Sequence, residues 1–95
     1  MRLSAPIISF FKSSFAEKLP EAHIYLYGSR VNDNARGGDI DLIVLTPTPV
    51  NKSVLRTIRI DFYKKFGWQK VDLVNFTFED QSLFKQLIIA DAQEL

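Results

Sequence analysis

The segment Ile40-Asp41-Leu42-Ile43-Val44-Leu45 constrains this chain more than any other. Apart from Asp41 it is wholly apolar. A strand with one wet face alternates apolar and polar residues, whereas an unbroken apolar run of this length reads as a strand covered on both faces. Thr46-Pro47-Thr48-Pro49 closes it, because proline cannot donate to a ladder and has a fixed φ. The segment is therefore the expected central strand of an α/β domain, and helices must cover the sheet built around it.

The flanking sequence supplies those elements. Ser4 is placed to cap a first helix with Pro6 in its first turn, and Ile7, Ile8, Phe11, Phe15 and Leu19 form its apolar stripe before Pro20. His23-Ile24-Tyr25-Leu26-Tyr27 is short, β-branched and aromatic, and it stops at Gly28, as a strand entering a turn does. A second helix starts at Asn51 or Ser53 and buries Leu55, Ile58, Phe62 and Phe66. Arg56, Arg59, Lys64 and Lys65 lie on its solvated outer face, and Gly67 stops it. Trp68 to Phe76 reads as a third strand. Thr77, with Asp80 three residues on, resembles a capping box for a last helix through Leu83, Phe84, Leu87 and Ile88. The expected order is αβαβαβα: a small mixed sheet of about three strands with flanking helices, in one domain over residues 1–95.

Composition narrows the class of protein. With 46% hydrophobic residues and eight phenylalanines the chain is globular. Trp68 and the phenylalanines are expected in the core. A net charge of +1 gives no global attraction to nucleic acid or acidic membranes. There is no cysteine, which excludes disulfides, thiolate metal sites and cysteine nucleophiles and fits a reducing compartment. No signal peptide or membrane span is legible, so a cytoplasmic protein is expected.

Three features bear on chemistry. Gly28-Ser29 ends a strand, where glycine permits close backbone approach and free N–H groups with a hydroxyl can hold phosphate; an ordinary turn would read the same way. Asp39 and Asp41 are two residues apart, so in a strand they share a face about 6.6 Å apart along the chain and can reach one cluster of divalent ions. Hard oxygen donors without histidine or cysteine suit magnesium, although a solvated strand entrance would also carry them. Like charges entering an apolar strand are costly unless a cation or solvent compensates. Asp72, in Lys70-Val71-Asp72-Leu73-Val74, is a third carboxylate in a hydrophobic strand. It would complete a triad able to hold two metals about 3.5–4 Å apart, or it could pair with Lys70. His23, the single histidine, is read as structural or solvated.

Taken together, Tyr27-Gly28-Ser29-Arg30, Gly37-Gly38-Asp39-Ile40-Asp41-Leu42 and Val71-Asp72-Leu73-Val74 resemble the motif set of the DNA polymerase beta-like nucleotidyltransferase superfamily. Within it they are most similar to the minimal nucleotidyltransferase antitoxins, the MntA-like group. The resemblance implies a nucleotidyltransferase fold and assigns roles. Gly28 and Ser29 would hold the nucleoside triphosphate, with Arg30 beside them meeting phosphate or a structural carboxylate. Asp39 and Asp41 would ligate the two Mg²⁺ ions, and Asp72 would ligate one of them while helping to deprotonate the acceptor hydroxyl. The chain departs from the pattern in its loop: Asp33 occupies the stretch where many members have a second glycine, Gly38 replaces a serine, and the loop is slightly short. Arg36 in that loop is a phosphate contact or a solvated charge.

The implied activity is transfer of AMP from ATP to a hydroxyl. A chain this small leaves no separate acceptor domain, so another molecule must supply the acceptor. The resemblance makes that molecule a HEPN-type toxin whose tyrosine is adenylylated, with this chain as the antitoxin of a toxin–antitoxin pair. Phe10 and Ile89, off the main helical stripes, offer apolar surface to such a partner or to a second copy, giving a hetero- or homo-oligomer, or else complete the core. Direct nucleic-acid binding and membrane association are not expected. The rivals are a binding-only antitoxin with a degenerate site and a transferase for a small-molecule hydroxyl.

Overall fold

The structure, a computed structural model, describes residues 3–27, 39–80 and 82–95. Helix α1 spans Ala5–Lys18. Ser4 occupies its N-cap with extended backbone, but its hydroxyl makes no capping hydrogen bond. Pro6, whose φ is already helical and whose missing N–H costs nothing in the first turn, remains the start signal. The Leu19 N–H closes the other end on the Phe15 carbonyl at 2.7 Å, just before Pro20. Helix α2, Lys52–Phe66, is capped by Asn51, whose Oδ1 accepts the Ser53 N–H at 2.9 Å. It stops at Gly67, whose φ of 86° lies where side chains other than glycine are strained.

Among the described residues four strands form one sheet: β1, His23–Tyr27; β2, Ile40–Thr46; β3, Val71–Thr77; and β4, Gln93–Glu94. Their order is β3-β2-β1-β4, with β2 parallel to β3 and β1 antiparallel to both β2 and β4. The sheet is thus mixed, with the apolar β2 inside it. The fourth strand is an addition to the expected three. It holds two polar residues with no periodicity to betray them, and it is fixed by tertiary pairing with Tyr25 and Leu26 and by the Leu95 N–H on the Ile24 carbonyl at 2.9 Å. Helix α3, Leu83–Ala90, precedes it and contacts β1.

One sheet face packs on α1 and α2. Ile24, Leu26, Ile40, Leu42, Val44 and Val71 point to this side and meet Phe11, Phe15, Leu55, Ile58 and Phe62. Ile43, which alternation sends to the opposite face, is also fully buried, so both faces of β2 are covered as its apolar run demands. The core centre is aromatic. Phe11 and Phe62 stack at 5.3 Å, and Phe10 meets both Phe62 and Phe66 edge-on at under 6 Å. Phe10 therefore belongs to the core margin, because α2 lies close enough to cover a residue that the α1 stripe alone leaves out.

Three further expectations are corrected. Trp68 is outside the core with 80% of its surface exposed, since β3 begins only at Val71 and the connector after Gly67 turns the indole outward. Leu87, assigned to the inner stripe of the last helix, is 63% exposed. Thr77 and Asp80 do not cap α3. Asp80 instead accepts the Ser82 N–H at 2.7 Å, and the Ser82 hydroxyl caps the helix by accepting the Lys85 N–H at 3.2 Å. Lys85 folds back to donate to the carbonyls of Thr77, Phe78 and Asp80, which fixes the turn between β3 and α3.

Candidate functional site: two carboxylates in register on adjacent strands

Cross-strand register decides which side chains meet. Asp41 lies directly opposite Tyr27 on β1 and Asp72 on β3, so the three side chains form a row across the sheet on the face away from α1 and α2. Alternation carries Asp41 to that face because its neighbours Ile40 and Leu42 belong to the core. Val71 does the same for Asp72. The apolar residues that build the core thereby place the two carboxylates side by side.

The electrostatics of the row are unfavourable on their own terms. Burial raises the Asp41 carboxyl above its ordinary value, the Asp72 charge and a hydrogen bond between the two carboxyls raise it further, and Asp39 adds to this. Lys70 partly opposes the effect. Tyr27 is half-buried, and its phenol is likewise pushed up, first by burial and then by Asp41 and Asp72. Asp39 sits one residue before β2 and is more exposed. The Lys70 ammonium lies 3.9 Å from Asp39 and 3.8 Å from Asp72, so the expected Lys70–Asp72 pair forms and extends to Asp39. With about half or more of each of these side chains in solvent, such pairs contribute only about 0–1 kcal/mol.

The structure thus brings Asp41 and Asp72 into contact and sets Asp39 beside them, joined through Lys70. Among the described residues no three histidine, cysteine, aspartate or glutamate side chains converge on one point. The donors nonetheless fit a hard divalent cation in kind: they are all carboxylates, and two of them repel one another across a partly buried pair that a cation would relieve. Gly28, Ser29, Arg30 and Arg36, expected to hold the triphosphate, lie outside the described residues.

Tyr27, in the row, and Asn75, at the far end of the β2–β3 pair, have structural roles that their local sequence does not announce. Tyr27 opens the Tyr-Gly-Ser-Arg motif, and its position opposite Asp41 follows from the β1–β2 register. Asn75 donates to the Val44 carbonyl at 2.9 Å and the Thr46 hydroxyl at 3.0 Å, and its Oδ1 accepts the Val50 N–H at 3.0 Å. It ties the proline-rich exit of β2 to β3, and no local pattern announces that. His23, as expected, is peripheral: Nδ1 meets Glu94 Oε2 at 2.9 Å, joining β1 to β4.

The mixed α/β sheet sets Asp41 and Asp72 in register on adjacent strands, and comparison with known proteins names the family. Residues 8–94 match the family model of the nucleotidyltransferase domain, and the chain belongs to that family. A crystal structure of a protein provisionally classed as a nucleotidyltransferase superposes with a TM-score of 0.64 at 22% identity, covering 96% of this chain and 99% of that one. At that identity the likeness establishes the fold. No protein of curated function matches the chain. Among the described residues no helix is long and apolar enough to cross a membrane.

Proposed function

We propose that this nucleotidyltransferase transfers AMP from ATP, with Mg²⁺, to a tyrosine hydroxyl of a HEPN-type toxin and so acts as the antitoxin of a toxin–antitoxin pair. The observation that carries the transferase part is the in-register contact of Asp41 with Asp72, flanked by Asp39. The choice of acceptor rests on the motif resemblance to minimal nucleotidyltransferase antitoxins.

Asp39, Asp41 and Asp72 would hold the metal, which supplies charge neutralisation of the triphosphate and eases departure of pyrophosphate. Lys70 would give way, since its exposed ion pairs are weak. Asp72, on the edge of the row, would also take the proton of the acceptor hydroxyl, the role the motif resemblance gives it, as the acceptor oxygen bonds to the α-phosphorus and the bond to the β-phosphate oxygen breaks. Asp41, in the middle of the row between Tyr27 and Asp72, is assigned to the metal. Gly28 and Ser29 would orient the phosphates.

Incubation with α-labelled ATP, Mg²⁺ and the HEPN partner should place label on a partner tyrosine, located by peptide mapping. A complex that forms without label would make this a binding-only antitoxin. Label on a free small-molecule hydroxyl, with no protein acceptor, would assign it to the small-molecule transferases.

A further inference from the structure

Trp68 is the chain's one tryptophan, and at 80% exposure it is the most exposed large apolar side chain among the described residues. Its ring lies 5.0 Å from that of Tyr63, tilted by 43°, so the two present a joint aromatic surface. Tyr63 ends a stripe of α2. Lys52, Arg56, Arg59 and Tyr63 recur at intervals of four, three and four residues and therefore share one helix face, about 16 Å long. The helix carries five cations against the single acid Asp61, in a chain of net charge +1, so the rest of the molecule is net acidic. The basic stripe is a local feature that net charge conceals.

Beside this stripe runs a groove of about 540 Å³ between α2 and β3, lined by Lys52, Arg59, Leu73 and Asn75 among others and, among the described residues, by no acid. β3 is the edge strand, and among the described residues it pairs only with β2. The bonds from Ile40 N–H to the Lys70 carbonyl and from Phe78 N–H to the Thr46 carbonyl fix the ladder's phase. The even-numbered residues of β3 turn their backbone groups to β2, and Leu73 and Asn75 turn theirs outward beside the groove. A cationic stripe, outward N–H donors and an aromatic platform at one end are the parts that bind a nucleic-acid strand by its phosphates and a stacked base.

We propose that the α2–β3 groove binds single-stranded nucleic acid, with Lys52, Arg56 and Arg59 along the phosphates and a base stacked on Trp68. Trp68 precedes Asp72 by four residues, so the platform is at most about 14 Å from the carboxylate row along the chain. This site is independent of nucleotidyl transfer and of the acceptor assigned above. Stacking favours a nucleic acid over an acidic peptide, which would use the cations and strand edge but gain little from an exposed indole.

The test uses the whole protein and 12-nucleotide oligoadenylate RNA. Binding in low salt should quench the fluorescence of Trp68. With three phosphate-facing cations, the logarithm of the association constant should fall with the logarithm of salt concentration at a slope of about −2. Anisotropy of the labelled RNA should show a roughly 5- to 150-fold loss for Trp68→Ala and a much smaller one for Trp68→Phe, which keeps a ring to stack on. Circular dichroism and ATP-dependent transfer should be unchanged in both. Absence of quenching up to millimolar RNA would overturn the proposal, as would binding indifferent to Trp68→Ala. Displacement of the RNA by equimolar poly-glutamate of similar length would also overturn it, assigning the groove to acidic peptides.

Discussion

Replacing Asp41 by asparagine should make the protein more stable and inactive at once. In the wild type the Asp41 carboxylate is half-buried and faces Asp72 across the β2–β3 ladder, with only the weak Lys70 pair to compensate. Asparagine fills the same volume, removes one of two like charges, and can donate its amide to Asp72. Like charges directly opposite in a sheet cost about 0.2–1 kcal/mol, so that is the expected gain. For a domain of this size it raises Tm by roughly 1–8 °C. Magnesium should reverse the ranking. At a concentration ten times its Kd it adds about 1.4 kcal/mol to the wild type and far less to a variant lacking a ligand charge. Differential scanning calorimetry at neutral pH, with 10 mM Mg²⁺ or with chelator, reads both effects. A variant less stable than wild type by more than 1 kcal/mol in chelator would refute the repulsion argument, and an equal Mg²⁺-induced shift in both proteins would refute the ligand assignment.

Further predictions concern the scaffold. Phe62→Ala removes a fully buried ring that stacks on Phe11 and should cost about 3–5 kcal/mol by urea denaturation, whereas the exposed Leu87→Ala should cost under about 0.5. Asn75→Ala leaves the Val50 N–H without its acceptor and should destabilise by about 1–3 kcal/mol, with faster amide exchange at Val50. Asp80 accepts from Ser82 and its carboxyl is held below the usual range, chiefly by that backbone bond. Its stabilising effect is therefore full above the unfolded carboxyl's ordinary value and is lost as pH falls through the lowered one. Asp80→Asn should flatten the acid limb of the stability profile between those two values and leave neutral-pH behaviour of the rest of the fold unchanged.

Which parts of this were legible in the sequence follows from where the information resides. The β2 run announces its own burial, and Asn51 and Gly67 mark α2 because capping and a positive φ are local requirements. The pairing of Asp41 with Asp72 could be named as a possibility, but contact depends on β2 and β3 being parallel and in register, which is tertiary. β4 was invisible because two polar residues have no pattern of their own. Trp68 falls outside the core because hydrophobicity says that a side chain prefers burial, not that the fold has room for it. Phe10 found a place between α1 and α2, while Trp68, stranded on a connector, did not. Asp80 has capping-box spacing from Thr77, but its partner is the Ser82 N–H.

The proposed function makes Asp39, Asp41 and Asp72 a metal-dependent nucleotidyl-transfer site. The most direct measurement is the rate of α-labelled AMP incorporation from ATP into the acceptor by the wild type, Asp41→Asn and Asp72→Asn, each with Mg²⁺ and with chelator. The wild type should label only with Mg²⁺. Each variant should lose at least about 100-fold, because even residues one shell beyond a metal cost 10- to 100-fold when changed. Labelling by either folded variant at the wild-type rate would contradict the claim.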